Sequence, residues 1–348
     1  MAPLGGRVRS AAHWYKRRPW HHKVAIGGAL VLIVVAVVVG TTQLAFENAS
    51  EVTDIPKQSE PSLETRLQIA FRFAPVLELN SHELFVPIDR DAYIAATELD
   101  ERKGKLASLL NAAPTPASLP SSEGECVLSA HCFYFLNVKG LEPPDSKPRA
   151  YAVLQNEAIA ADPTNRIYFH VTRYDETGDY AVQYWFLYFF NYRLNLHESD
   201  WEQITLHLDP DQKPIEALYS SHASGQKRPW SKLETVGDHP VVYVALGSHA
   251  NYFRSGTHRV TLDCRVVLHT KVCTGNETIR DTSDGRGQEL LLERDYKLQE
   301  LTGTVYIGSY GSGNYVLGRR KDEILADPRA RPVWLNPLAR FKLAKGAS

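Results

Sequence analysis

Residues 180–190, YAVQYWFLYFF, constrain this chain more than any other segment. Aromatic and β-branched residues favour extended backbone, and successive side chains of a strand point to opposite faces. A strand that is apolar at nearly every position needs cover on both faces. The fold must therefore supply a layer above this segment and another below it. Further β-rich runs, separated by turn residues, lie at 150–154, 166–173, 201–208, 215–220, 241–246, 259–269 and 304–309. Residues 175–178 and 209–212 have turn composition. Strands in this number, without alternating long helices, predict a mainly β fold: an antiparallel β-sandwich with a few short helices. A chain of 348 residues, 43% hydrophobic, can fill such a core.

The next run, HESDWEQITLHLD at 197–209, puts acids on the core face. If 200–208 is a strand, Asp200, Glu202, Ile204, Leu206 and Leu208 share one face, and Trp201, Gln203, Thr205 and His207 share the other. Unpaired carboxylates on an apolar face are costly. A cation, an arginine or a raised pKa must compensate. His197, just upstream, points to a cation, because imidazole with carboxylates suits transition metals and, with more oxygens, Mg or Ca. His222 and His249 each follow a strand, where loops gather. His197, Asp200, Glu202, His222 and His249 are therefore the expected ligands of a divalent metal ion, with Mg, Ca, Mn and Zn all open. The alternative for HESDWE is a solvated turn. Tyr219, Trp230, Asn251 and Tyr252 are candidate ligand-binding residues, the aromatic ones either stacking on a sugar or serving as core. His170 is expected to satisfy a core hydrogen bond. Ser248 and His249 are adjacent, so their side chains diverge on extended backbone, and no GxSxG elbow is present.

Residues 24–46 carry no charge and are long enough to cross a bilayer. Arg7, Arg9, Lys16, Arg17, Arg18 and Lys23 flank that segment on its N-terminal side only. This predicts a signal anchor, with residues 1–23 cytoplasmic and the body extracytoplasmic; a cleaved signal peptide is the alternative. Residues 47–61 read as a linker and 62–348 as the extracytoplasmic domain. Cys126 with Cys132, and Cys264 with Cys273, fit two local disulfides in an exported protein. Without the six N-terminal basic residues, 33 basic side chains face 40 acidic ones. That balance argues against nucleic acid as a partner. Ser62 predicts a capped helix over 63–74, stopped by Pro75. A second helical piece is expected over 92–99 or 106–110, and a loop over 111–125. The glycine-rich run 308–313 reads as a turn, since it lacks a phosphate-binding pattern.

Taken in order, YWFLYFFNY, HESDWEQITLHLD, His222 with Trp230, and HPVVYVALGSHANYF resemble the vacuolar protein sorting-associated protein 62 family. FAPVLELNSHELFVPID before them, and the glycine-rich run with Pro332 to Pro337 after them, extend the resemblance over roughly residues 64–340. It implies a trafficking role without a defined biochemical activity. The DWE core is also similar to the GHRHDWE motif of the necrosis- and ethylene-inducing-peptide-like proteins. That similarity implies a β-sandwich whose divalent metal is held by His197, Asp200 and Glu202. The motif's first glycine and middle histidine are missing here, and Phe189-Phe190-Asn191 offers no upstream aspartate. The toxins' lipid-headgroup binding and membrane damage are therefore not implied.

The combined expectation is a membrane-anchored, extracytoplasmic, metal-binding β-sandwich whose partner is a glycan, phosphate or lipid headgroup. A binding role is favoured over an enzyme. One alternative is a metal-dependent hydrolase with Glu198 as base beside a metal-bound water. The other is a structural or trafficking-related interaction domain without metal.

Overall fold

A computed structural model describes residues 55–348, apart from 104–105, 122–131, 142–146, 164, 194–195, 223, 263–264, 268–269, 273–276, 313–324, 340–344 and 347–348. The expected membrane anchor lies outside the described residues. Among them no helix is long and apolar enough to cross a membrane. Cys126, Cys264, Cys273 and the side chain of Cys132 also lie outside, and the two expected disulfides with them.

The architecture is mainly β, with antiparallel sheets and a few short helices. The largest sheet has eight strands. Arg166–Tyr174, Tyr180–Asn191, His197–Leu208, Pro214–Ser221 and Ser224–Pro229 follow one another across it, each antiparallel to the last. Gln58–Ser59 and Lys297–Glu300 also pair with Arg166–Tyr174. A five-stranded sheet is built on His239–Val244, which pairs in parallel with Val76–Glu78 and antiparallel with Asn251–Tyr252. A three-stranded sheet holds Thr97–Lys103 between Leu106–Asn111 and Cys132–Val138.

Tyr180–Asn191 is covered on both faces, as its composition demands. Tyr184, Trp185, Phe186, Leu187, Tyr188, Phe189 and Phe190 are all fully buried. On one face Tyr184 donates to the carbonyl of Ala70, in the helix Leu63–Arg72, at 2.8 Å. On the same face Tyr188 stacks on His249 at 4.0 Å. On the other face Trp185 meets Trp334 at 6.1 Å, and Phe189 meets Tyr93 of the helix Arg90–Ala95 at 5.3 Å. Each such side chain contributes about 1.5–3 kcal/mol relative to exposure. His170 satisfies a core contact, as expected: its Nδ1 meets Gln183 Oε1 at 3.1 Å and its ring stacks on Trp334 at 3.8 Å.

Several local expectations are corrected. Residues 150–154 belong to the helix Pro148–Ala161, not to a strand. Pro148 opens it at a position where the missing N–H is harmless, and alanines fill its length. Tyr151 and Gln155 face inward, and Tyr151 stacks on Phe190 at 3.9 Å. A five-residue apolar window does not separate strand from helix; the full fourteen-residue period does. Residues 106–110 form part of a strand, while the helical piece near 92–99 is Arg90–Ala95, capped by the Asp89 side chain. Segment 259–269 holds parts of two strands, Gly256–Leu262 and Arg265–Val267. Segment 304–309 contributes only an isolated bridge between Ser309 and Phe135. Ser62 caps its helix as expected, through Thr65 N at 3.2 Å.

The C-terminal segment locks onto the start of His197–Leu208. Glu198 N donates to Ser312 O at 2.8 Å, and Ser312 N donates to Glu198 Oε2 at 3.2 Å. Gly311 lies so close that a Cβ there would collide with the Glu198 backbone. Gly311→Ala is therefore expected to destabilise the protein by about 1–3 kcal/mol in urea unfolding. An unchanged midpoint would mean that the segment does not pack there.

Candidate functional site

The strand register places Tyr188 opposite Asp200 and Phe186 opposite Glu202, so both acids share the face read from the sequence. They are 5% and 8% exposed. Asp200 Oδ2 accepts hydrogen bonds from His249 Nδ1 and from Asn191 Nδ2, each at 2.9 Å. His249 Nε2 lies 3.6 Å from Glu83 Oε1. Glu83 is fixed in turn by the backbone N–H groups of Leu84, Phe85 and Gly247. The Ser220 hydroxyl donates to Glu202 Oε2, and Asn251 Nδ2 donates to the Ser220 oxygen at 3.2 Å. His197 Nδ1 donates to the carbonyl of Ser199 at 2.6 Å.

Unusual backbone positions these groups. Ser199, His222 and His249 adopt φ of +54°, +54° and +52°. Left-handed backbone at a non-glycine residue costs about 1–3 kcal/mol where it is strained. The turn that presents His249 is closed by Ala245 N to Ala250 O at 3.0 Å. It opens with Gly247 at φ +70°, whose missing Cβ leaves room for the Tyr192 ring. Neither the sign of φ nor that close approach would suit a larger residue.

Two ionised carboxylates, Asp200 and Glu83, face one imidazolium, His249. Burial would raise the pKa of Asp200, but the hydrogen bond and charge of His249 and the hydrogen bond from Asn191 hold it below the usual carboxylate range. Burial would also raise Glu83, and the field and hydrogen bond of His249 bring it down instead. Burial opposes charge on His249; Glu83 first and then Asp200 outweigh it and push its pKa up to about 9. Glu202 is driven well above its usual value, by burial and then by the neighbouring charge of Asp200. His197 is pushed down by burial, which keeps it neutral. Glu198, buried beside Tyr151 and Ser312, is raised by burial to about 7.

Of the five expected ligands, His197, Asp200, Glu202 and His249 come together around this network. His222 does not: its Nε2 bonds Asp281 Oδ2 at 2.6 Å. Asp281 also accepts hydrogen bonds from the hydroxyls of Tyr252 and Ser248. Among the described residues no group of three or more His, Cys, Asp or Glu already stands in a metal-holding arrangement. Several buried polar atoms beside the acids have no hydrogen-bond partner: His249 Nε2, Asn251 Oδ1 and Tyr188 Oη.

The candidate ligand-binding aromatics are mostly core. Tyr219 is fully buried, donates to Val241 O at 3.0 Å and stacks on Phe253 at 4.1 Å. Tyr252 is fully buried and stacks on His258 at 3.6 Å. Trp230 is partly buried and meets Phe73 edge-on at 5.7 Å. Asn251 belongs to the acid network itself. The sequence reading missed Glu83 and Asp281. Glu83 had one weak signal, an acid immediately before the apolar run LFVPI, but nothing local linked it to His249, 166 positions away.

No family model and no curated protein matches this chain. Two solved structures resemble part of it. One, described as "Toxin fold for microbial attack and plant defense", is 18% identical, with a TM-score of 0.31, over 57% of this chain and 72% of that one. The other, "NLPPya in complex with glucosamine", is 14% identical, with a TM-score of 0.31, over 71% of this chain and 77% of that one. Both likenesses are too distant to define what this chain binds.

The raised pKa of His249 sets a pH dependence. Its folded value of about 9 exceeds the ordinary 6.5, so its contribution is complete below pH 6.5 and is lost as pH rises through 9. By linkage this amounts to about 3 kcal/mol. Glu198 acts in the same direction between pH 4.5 and about 7. In chelator, unfolding free energy should fall between pH 7 and 9. His249→Gln should be less stable throughout and lose that slope. A slope of equal size in the variant would remove His249 as its source.

Proposed function

We propose that this domain is a membrane-anchored, extracytoplasmic β-sandwich that holds a divalent cation with His197, Asp200 and Glu202. The cation would present itself to a sugar, phosphate or lipid headgroup. The observation that carries this reading is the pairing of two carboxylates, each more than nine-tenths buried, on one strand face. A cation neutralises both and takes the place of the proton that Glu202 otherwise keeps. His197 fits a ligand: it is neutral, and its Nδ1–H is spent on the Ser199 carbonyl, the arrangement that orients a metal-bound imidazole. Glu202 Oε2 and Asp200 Oδ2 already accept hydrogen bonds that would orient them. In this reading His249 orients Asp200 and does not itself ligate, because its Nδ1 is committed to Asp200 and its Nε2 faces Glu83. The sequence motifs also support a domain of the sorting-protein-62 kind.

A second reading rests on the same histidine. An imidazolium between Glu83 and Asp200 closes the network without any metal and leaves a structural or interaction domain. Elemental analysis separates the two. Protein purified without chelator should carry about one equivalent of a divalent metal, and Asp200→Ala and Glu202→Gln should lose it. A metal present at about 100 times its Kd stabilises by about 2.7 kcal/mol, so EDTA should lower the Tm of the wild type and leave the Tm of Asp200→Ala unmoved. Metal-free wild type with an EDTA-insensitive Tm would leave the second reading.

A further inference from the structure

The face of the large sheet opposite Asp200 and Glu202 carries a different feature. Trp201 meets Tyr310 there edge-on at 5.7 Å. Tyr310 also lines a cavity of about 220 Å³, together with Arg90, Ile94, Leu119, Val305 and Tyr306. No acidic residue lines it, and none of the residues of the acid network does.

Arg90 is the charged group of this cavity. Its side chain is 12% exposed. Its Nε donates to Asp91 Oδ1 at 3.0 Å, while neither Nη has a hydrogen-bond partner among the described residues. A mostly buried guanidinium with spare Nη donors can take a further acceptor. Its planar fork matches a carboxylate. Gly303 and Thr304, also in the lining, are fixed by Arg329. Arg329 donates to the carbonyls of Thr302, Gly303 and Thr304 at 3.0, 2.6 and 2.7 Å, and pairs with Asp327 at 2.7 Å. These bonds tie the segment before Val305 to Asp327 through Arg329.

We propose that this cavity binds a small organic monocarboxylate. The carboxylate lies on the Nη groups of Arg90, and its apolar body lies between Ile94, Leu119 and Val305. Arg90 pairs with Asp91 through Nε only, so its free fork suits one carboxylate, and the side chains of Ile94, Leu119 and Val305 favour an organic anion over a bare inorganic one. The volume falls below the range of about 300–1,000 Å³ typical of drug-sized ligands, so the ligand is small. The site is separate from the proposed cation site and does not depend on it.

Titration calorimetry on the full chain, with benzoate, hexanoate, benzamide and inorganic phosphate as probes, tests this. Benzoate or hexanoate should bind with a Kd at or below about 1 mM, and benzamide and phosphate at least tenfold more weakly. Arg90→Met should weaken carboxylate binding at least tenfold, with Arg90→Lys in between, because the charge is kept and the fork lost. Ala117 is an exposed residue of the cavity lining. Ala117→Trp should abolish binding by filling the cavity while leaving the thermal unfolding midpoint unchanged, and it carries the test should Arg90→Met fail to fold. Three results would overturn the proposal: no carboxylate binding at about 10 mM, benzamide or phosphate binding as tightly as benzoate, or undiminished binding in Ala117→Trp.

Discussion

Everything in this domain depends on burying the Tyr180–Asn191 strand on both faces. Its aromatic side chains cannot face water on either side, so the chain must wrap two layers around it. Leu63–Arg72 and the residues around His239–Val244 supply one layer. Arg90–Ala95, Tyr310 and Trp334 supply the other. His197–Leu208 pairs along nearly the whole length of this strand and inherits its burial. That is why two carboxylates end up in the interior.

The interior position of Asp200 and Glu202 is the costly part of the design. The fold offsets the cost with groups drawn from distant positions. Glu83 and His249 meet across 166 residues, and Ser220 and Asn251 arrive from two further strands. Left-handed backbone at Ser199 and His249 aims these groups inward. Such strain persists only where the surroundings over-determine it, and here the surroundings are aromatic stacking and a dense hydrogen-bond network.

Much of the frame was legible in the chain. Alternation after Asp200 revealed which side chains share a face, and Ser62 and Pro75 marked a helix. The helix Pro148–Ala161 was hidden because a short apolar window has no period to read. The cluster was half legible: His197, Asp200, Glu202 and His249 were visible as types in strand-end positions. His222 carried the same signal, yet it pairs with Asp281, because which loop a strand end faces is set by strand order. The aromatic candidates were open between stacking on a sugar and serving as core. Tyr219 and Tyr252 are fully buried and pack on Phe253 and His258.

The sequence by itself determined that one strand must be covered on both faces, that acids begin the apolar face of the next, and that the N-terminal segment is apolar enough to span a bilayer. These follow from composition and period-two geometry, which are local. Only the tertiary structure decided that His249 lies between Glu83 and Asp200, that His222 goes to Asp281, and that Arg90 faces a cavity on the far side of the sheet. Those pairings join residues up to 166 positions apart, and nothing in local spacing fixes them. They arise from the order of strands in the sheets and from the few chain paths that bury every aromatic side chain at once.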